Sequence, residues 1–90
     1  GTVKLTGPKL SLRPDYSYEG EGMRLEGVTA GGAAEQAGLK EGDVVIELNG
    51  KATKTVQGYM TALNSMKSGV TADVVILRGG KKVTLKVTPQ

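Results

Sequence analysis

The chain has 90 residues, and its twelve Lys and Arg against nine Asp and Glu give a formal net charge of +3. It contains no Cys and no His, so thiol nucleophiles, imidazole bases and nearly all zinc sites are excluded, because these residues supply that chemistry. Three Tyr are the only aromatic residues, which leaves no stacking platform for nucleic acid and predicts that none is bound.

Size and composition predict one folded domain. Hydrophobic residues make up 38% of the chain and charged residues 23%, an ordinary balance for a globular protein. No apolar run approaches the ~20 residues of a membrane helix, so membrane insertion is not expected. We expect residues 1–9 to be an N-terminal extension or linker and residues 10–88 to be the domain. The abrupt start suggests a domain excised from a longer protein.

The first third of the chain predicts two strands and a short helix. Apolar residues alternate in Lys9–Arg13, and Pro14 interrupts the pattern, which predicts a short first strand. A polar, glycine-rich loop leads to Met23–Val28, where alternation resumes and predicts a second strand. Ala33–Ala37 favours a helix of one or two turns, and Gly38 is suited to the left-handed position that ends it.

The middle of the chain predicts a central strand followed by a longer helix. Val44–Leu48 is rich in β-branched residues, and Asn49-Gly50 is a strong signal for a tight turn after it. Thr55 can cap a helix whose apolar residues recur at helical spacing and form one face. This apolar stripe consists of Val56, Tyr59, Met60, Leu63 and Met66.

The last twenty residues predict an antiparallel hairpin. Ala72, Val74 and Ile76 recur at every second position, a glycine-containing turn follows, and Val83, Leu85 and Val87 form a second such run. The predicted element order is therefore β-β-α-β-turn-α-β-β. It contains no internal repeat.

The segment from Ala34 to Gly50 resembles a known family. The run AEQAGLKEGDVVI from Ala34 to Ile46, followed by Asn49-Gly50, is similar to the A-x-x-A-G-L-x-x-G-D-x-I-x-x-[IL]-N-G signature of PDZ domains. The resemblance implies an α+β fold, a PDZ-like partly open antiparallel barrel or sandwich of five or six strands with two helices.

The order of the elements resembles one branch of that family. The chain begins at the strand that would face a peptide and ends in a hairpin, as in circularly permuted PDZ domains of bacterial proteases. The Leu-Ser-Leu-Arg-Pro-Asp-Tyr segment and the Tyr-Met-Thr-Ala-Leu helix look closest to PDZ domains appended to zinc-dependent aminopeptidases. Serine proteases of the high-temperature-requirement type are the next nearest.

The resemblance implies a non-catalytic module that binds an extended peptide, preferably its hydrophobic C-terminal end, by strand addition. Backbone N–H groups around Leu10-Ser11-Leu12 would hold the terminal carboxylate, as anion-binding concavities of the backbone do. Lys9 and Arg13 could steer an anionic chain end toward them. The helix would wall the groove, although the sequence leaves open which half of its stripe faces inward. The candidate peptide-binding residues are Leu10, Ser11, Leu12, Arg13, Tyr59, Met60, Leu63 and Met66.

The resemblance also implies a setting. The parent protein would be a bacterial peptidase whose other domains are partners, and the module would recruit substrates or regulate the active site. Resemblance to periplasmic and secreted proteases favours an extracytoplasmic location. No metal or cofactor is expected, and the isolated domain is expected to be a monomer.

Two residues depart from the family pattern and keep an alternative open. Ser11 stands where the family usually has Gly, and a side chain there is unfavourable if the turn needs a positive φ. Pro14 has no N–H, so a guest strand would lose one ladder bond at that position. The alternative is a structural or docking domain whose groove is closed, or occupied by its own residues 1–9.

The loop of residues 15–22 carries three acidic residues, Asp15, Glu19 and Glu21. Their spacing does not match the organised oxygen ligands of a calcium site. We therefore predict no metal site in this loop.

Overall fold

The computed structural model describes residues 10–90, in which six strands and two helices follow one another. They are β1 (Leu12–Pro14), β2 (Met23–Val28), α1 (Ala33–Ala37), β3 (Val44–Leu48), β4 (Lys51–Ala52), α2 (Val56–Asn64), β5 (Ala72–Arg78) and β6 (Lys81–Val87). The predictions for residues 1–9, including the role of Lys9, lie outside the described residues.

The strands form one antiparallel sheet in the order β1-β2-β3-β5-β6, and β4 pairs with β3. The third strand is central, as predicted, since it pairs with β2, β4 and β5. Within residues 10–90, β1 is an edge strand whose one partner is β2. The α+β prediction, a partly open antiparallel barrel or sandwich of five or six strands with two helices, is confirmed by six antiparallel strands in an open sheet and two helices.

Alternating side chains of the sheet and one side of α2 build the core. Along β2 the apolar positions Met23 and Leu25 are 1% and 0% exposed, while the polar positions between them face outward. The C-terminal hairpin contributes its own alternating set, which confirms the period of two expected from the sequence. The fully buried residues of this set are Val74, Ile76 and Val87.

Two turns form where the sequence indicates them. Asn49 and Gly50 have φ of 52° and 78°, the left-handed pair of a tight hairpin, and the chain returns as the two-residue strand β4. Gly38 ends α1 at φ 94°, and its N–H donates to the carbonyl of Glu35 at 3.0 Å. The sequence predicted only a turn where β4 lies, because a strand of two exposed residues is too short to show an alternating pattern.

Helix α2 begins as predicted and ends earlier. The Oγ1 atom of Thr55 accepts a hydrogen bond from the N–H of Gly58 at 3.1 Å. The predicted helix reaches Met66, but the observed helix ends at Asn64, because the next two N–H groups bond three residues back instead of four. Met66 nevertheless remains 6% exposed. No helix within residues 10–90 is long and apolar enough to cross a membrane.

An ion pair between the buried Asp43 and the partly exposed Arg78 ties β5 to the turn before β3. Arg78 donates to both carboxylate oxygens of Asp43, at 2.9 and 2.6 Å, and to the carbonyl of Gly38 at 2.8 Å. The Asp43 side chain is 3% exposed and also accepts the N–H of Lys40 at 2.8 Å. Burial opposes ionisation of this carboxyl, but the bonds from Arg78 and Lys40 outweigh it and lower its pKa below the ordinary value.

Candidate functional site

The segment entering β1 turns sharply at Ser11, whose φ is 58°. The carbonyl of Leu10 accepts the N–H of Ala34 at 2.8 Å, and the carbonyl of Ser11 accepts the N–H of Thr29 at 2.9 Å. Both peptides are trans, so each N–H points opposite to the carbonyl of the residue before it. The N–H groups of Ser11 and Leu12 therefore point away from Ala34 and Thr29. They are successive along the chain, so the turn presents two neighbouring hydrogen-bond donors.

Among residues 10–90, no strand pairs with the second edge of β1, and we call it the open edge. The bonds from Thr29 N–H to the Ser11 carbonyl and from Asp15 N–H to the Arg24 carbonyl, both 2.9 Å, bracket the strand. In an antiparallel pair this pattern makes Leu12 and Pro14 the residues whose own N and O atoms point away from β2. The open edge therefore carries the N–H and carbonyl of Leu12 and the carbonyl of Pro14.

The observed first strand differs from the predicted one. We expected a strand over Lys9–Arg13 ended by Pro14, whereas the strand runs from Leu12 to Pro14. Leu10 is 2% exposed and belongs to the core, and the left-handed Ser11 separates it from the strand. Proline fits inside β1 because its nitrogen faces the open edge, where β2 requires no donor.

Helix α2 divides its apolar stripe between the core and the surface. Tyr59 and Met66 are 4% and 6% exposed and pack in the core, where burial raises the pKa of the Tyr59 hydroxyl above its ordinary value. Met60 is 49% exposed. Val56 and Leu63 lie four residues before and three after Met60 and share its side of the helix, and we call these three the outer row. Met60 is its exposed member, because Leu63 is 8% exposed and Val56 packs against the core. The structure thus separates Met60 from Tyr59 and Met66.

Val56 was not among the predicted site residues, although it belongs to the stripe. Counting by four and three residues from the capped helix start would have identified the outer row. The exposure of Met60, which the sequence does not reveal, is what sets this residue apart from Tyr59, Leu63 and Met66.

The side chain of Arg13 is exposed and lies across the neighbouring strand. A Cβ atom built on Gly27 would collide with its Nη2 atom, so the guanidinium occupies the space that a side chain at Gly27 would fill. Its charge therefore lies over Gly27 of β2.

An open pocket of about 380 Å³ joins the end of β1 to the beginning of α2. Its walls come from the β1–β2 loop and from the residues that start the helix. Gly22 N–H donates to the Lys54 carbonyl at 3.2 Å, which holds the two walls together. The lining residues are Asp15, Tyr16, Tyr18, Glu19, Gly20, Glu21, Gly22, Met23, Lys54, Thr55 and Val56.

Within this loop, Asp15 is committed to structural bonds. Its carboxylate accepts the hydroxyl and the N–H of Ser17, at 2.6 and 3.0 Å, and pairs with Arg24 at 2.7 Å. The bond from the Ser17 hydroxyl is the main reason why the pKa of Asp15 is lowered. Among residues 10–90, no group of acidic side chains is arranged to hold a metal ion.

Comparison with known proteins agrees with this geometry. The family model of the PDZ domain matches residues 8–88. The serine protease Do-like HtrA of Bacillus subtilis is 36% identical over 88 residues, which are 97% of this chain and 18% of that protein. A putative zinc metalloprotease of Thermotoga maritima is 31% identical over 98% of this chain and 19% of its own length. The chain thus spans less than a fifth of these relatives.

Solved structures share the fold. An HtrA-type protease, AlgW with decapeptide, superposes with a TM-score of 0.84 at 22% identity, covering 92% of this chain and 29% of that one. An aminopeptidase N family protein from Idiomarina loihiensis superposes with a TM-score of 0.82 at 22% identity, covering 100% of this chain and 15% of that one. Both protease groups that the sequence resembles are therefore represented among the matches.

Proposed function

The chain belongs to the PDZ domain family, and on this basis we propose that it binds the C-terminal end of an extended peptide. The peptide would add as a strand beside β1, with its terminal carboxylate at the N–H groups of Ser11 and Leu12. Its last side chain, a hydrophobic one, would lie against Leu12 and the outer row of α2, with Leu10 supporting the turn from the core.

One observation carries this proposal: the open edge of β1 offers the N–H and carbonyl of Leu12 as an unfinished ladder. An unpaired strand edge is a template for another strand, and the two donors at the Ser11 turn give that strand a place for its charged end. The structure of AlgW in the comparison contains a decapeptide, which supports the same use of this fold here.

We assign the outer row of α2 to the groove wall, that is Val56, Met60 and Leu63. The exposure of Met60 supports this assignment, since a large apolar side chain at the surface is suited to contact with a ligand. Tyr59 and Met66, both predicted as wall residues from sequence, would act from the core by supporting the helix. Methionine adapts to side chains of different shape, which would allow several hydrophobic termini.

The wider setting is part of the proposal. A PDZ domain is a binding module, and the relatives that contain one here are serine proteases and zinc metalloproteases. The module would therefore serve substrate recruitment or regulation in a larger bacterial peptidase. One relative is named as a probable periplasmic serine endoprotease, which supports an extracytoplasmic location.

Titration with a library of hydrophobic-ended peptides, followed by amide NMR, tests the proposal. We expect shifts at the amides of Ser11, Leu12 and Met60, and a loss of affinity of about 10-fold or more when the same peptide is C-terminally amidated. A peptide whose amidated form binds equally well would contradict the carboxylate site.

The alternative of a closed groove predicts a different result. In that case no peptide shifts Leu10–Arg13 in the full chain, and deletion of residues 1–6 opens binding if that segment occupies the groove. Binding by the full chain that deletion leaves unchanged would contradict it.

A further inference from the structure

We propose that the pocket between the β1–β2 loop and α2 is a second subsite, which selects basic side chains of the peptide upstream of its C-terminal residue. This inference rests on the proposed function, since it assumes that the carboxylate lies at the Ser11 turn. The inference adds a preference for positively charged ligands, which the hydrophobic groove alone would not produce.

The direction of the bound chain leads into this pocket. With the carboxylate at Ser11 and Leu12, the ligand runs antiparallel to β1, so its last residue lies beside Leu12 and the residue two before it lies beside Pro14. Beyond Pro14, the protein chain enters the pocket wall at Asp15. The pocket therefore receives the third to fifth residues before the C-terminal one.

Pro14 favours a ligand whose upstream residues no longer pair with β1. Its carbonyl remains at the open edge, but the missing N–H interrupts the ladder, so nothing holds the ligand in strand register beyond it. Val56 lines both the pocket and the proposed groove, which makes the two surfaces continuous. Side chains that leave the ladder then have a cavity of about 380 Å³ beside them.

The charge of the pocket is unbalanced. Asp15 is already paired with Arg24 at 2.7 Å, whereas Glu19 and Glu21 have no ion-pair partner among residues 10–90. Lys54 is the one cationic residue among the lining residues. Two unpaired carboxylates against one ammonium group give the pocket a net negative charge, in a chain whose overall charge is +3.

Two tyrosines complete the chemistry that a cation would meet. Tyr16 is 77% exposed and Tyr18 is 36% exposed, and both line the pocket. The ring of Tyr18 lies over Gly20, where a Cβ atom would collide with it, so this ring is held against the loop. Lysine and arginine are attracted to aromatic faces as well as to carboxylates. A basic side chain is therefore the occupant that this lining fits.

The experiment uses three acetylated octapeptides, Ac-Gly-Gly-X-X-X-Ala-Ala-Leu, with X as Lys, Ala or Glu. We expect the Lys peptide to bind the full chain about 3- to 10-fold more tightly than the Ala peptide, and the Glu peptide more weakly, at low salt. The preference should shrink in 0.5 M NaCl, because screening weakens exposed charge interactions.

Variants locate the effect. Glu19→Gln combined with Glu21→Gln should abolish the preference for Lys over Ala while leaving the affinity for the Ala peptide unchanged. The matched control is Glu26→Gln combined with Glu41→Gln, which removes the same charge from exposed positions outside the pocket and should keep the preference.

The outcomes separate this inference from the proposed function. If the Ala peptide binds but all three peptides bind equally, the subsite is wrong and the groove stands. If the preference persists in the Glu19 and Glu21 double variant, or is lost in the control, the charge selection does not reside in this pocket. If none of the three peptides binds, both proposals fail.

Discussion

The side chain of Ser11 fills the space that a side chain at Gly32 would need. A Cβ atom built on Gly32 would lie 2.5 Å from the Cβ of Ser11, closer than two carbon atoms approach without displacement. Ser11 itself is in the left-handed region, where a residue with a side chain is disfavoured. The turn that orients the proposed carboxylate donors thus combines a strained residue with a glycine that makes room for it.

Replacement Ser11→Gly should stabilise the domain. Glycine relieves the left-handed backbone but adds entropy to the unfolded chain, so we expect a net gain of about 0.5–1 kcal/mol in the free energy of unfolding, measured with urea. Asn49→Gly is the matched control, since Asn49 has φ 52° but tolerates it better, and its gain should be smaller. A loss of stability with Ser11→Gly would mean that the hydroxymethyl group contributes more than its strain costs.

Replacement Gly32→Ala should destabilise the domain by about 1–3 kcal/mol, the usual effect of an overpacked contact. Because the closest atom is the Cβ of Ser11, the cost should be clearly smaller in the Ser11→Gly background. A double-mutant cycle by urea unfolding measures this coupling. Equal costs in both backgrounds would place the clash elsewhere, for example at the Thr29 carbonyl, 3.2 Å away.

Pro14→Ala should strengthen peptide binding. The substitution provides an N–H at the open edge of β1, and one additional hydrogen bond of about 0.5–1.5 kcal/mol corresponds to roughly a 2- to 10-fold lower Kd. Amide NMR should also show a bound-state shift of the new N–H at position 14. Unchanged affinity for every peptide would indicate that the ligand leaves the strand before it reaches this position.

The two methionines of the helical stripe provide a matched pair. Met66→Ala should lower the free energy of unfolding by about 2–5 kcal/mol, because it empties a core position that is 6% exposed. Met60→Ala removes the same atoms from a side chain that is 49% exposed, so stability should change by about 0.5 kcal/mol or less. Peptide affinity, measured by calorimetry, should fall in Met60→Ala. An unchanged Kd there would exclude Met60 from the groove.

The sequence predicts most of the fold because the local signals for turns and helix ends occur where the pattern of buried residues also places them. The Asn49-Gly50 turn, the Gly38 helix end and the Thr55 cap each follow from the chemistry of one or two residues. The predicted start of β1 was wrong because alternation continues from Leu10 to Leu12. The family resemblance raised a positive φ at position 11, but serine itself does not favour that conformation, so the residues alone did not place a turn there. That conformation is imposed by the bonds from Thr29 and Ala34, which join residues far apart in the chain.

The candidate site was less predictable than the fold for a similar reason. Helical spacing places Tyr59, Met60, Leu63 and Met66 on one broad face, but only packing against the sheet decides which of them remain at the surface. The pocket beside Val56 depends on a contact between Gly22 and Lys54, which are far apart in sequence. Neither residue carries a local sign of that contact.

Acid should weaken the fold through Asp43. Its pKa is lowered in the folded state, so its ionised form contributes stability that is present above the unfolded pKa of about 3.9 and is lost as the pH falls through the folded value. Asp43→Asn should cost about 1–3 kcal/mol at pH 7, where the bond to Arg78 is charged on both sides.

The gap in unfolding free energy between the native chain and Asp43→Asn should therefore narrow as the pH falls from about 5 through the lowered pKa of Asp43, in urea titrations at each pH. Asp73→Asn is the control, because Asp73 pairs with Lys86 at the surface and is 53% exposed, so its effect should be small at every pH. A gap that stays constant as the pH falls would mean that Asp43 acts through its shape and neutral hydrogen bonds, and that its charge contributes nothing to holding β5 against the turn before β3.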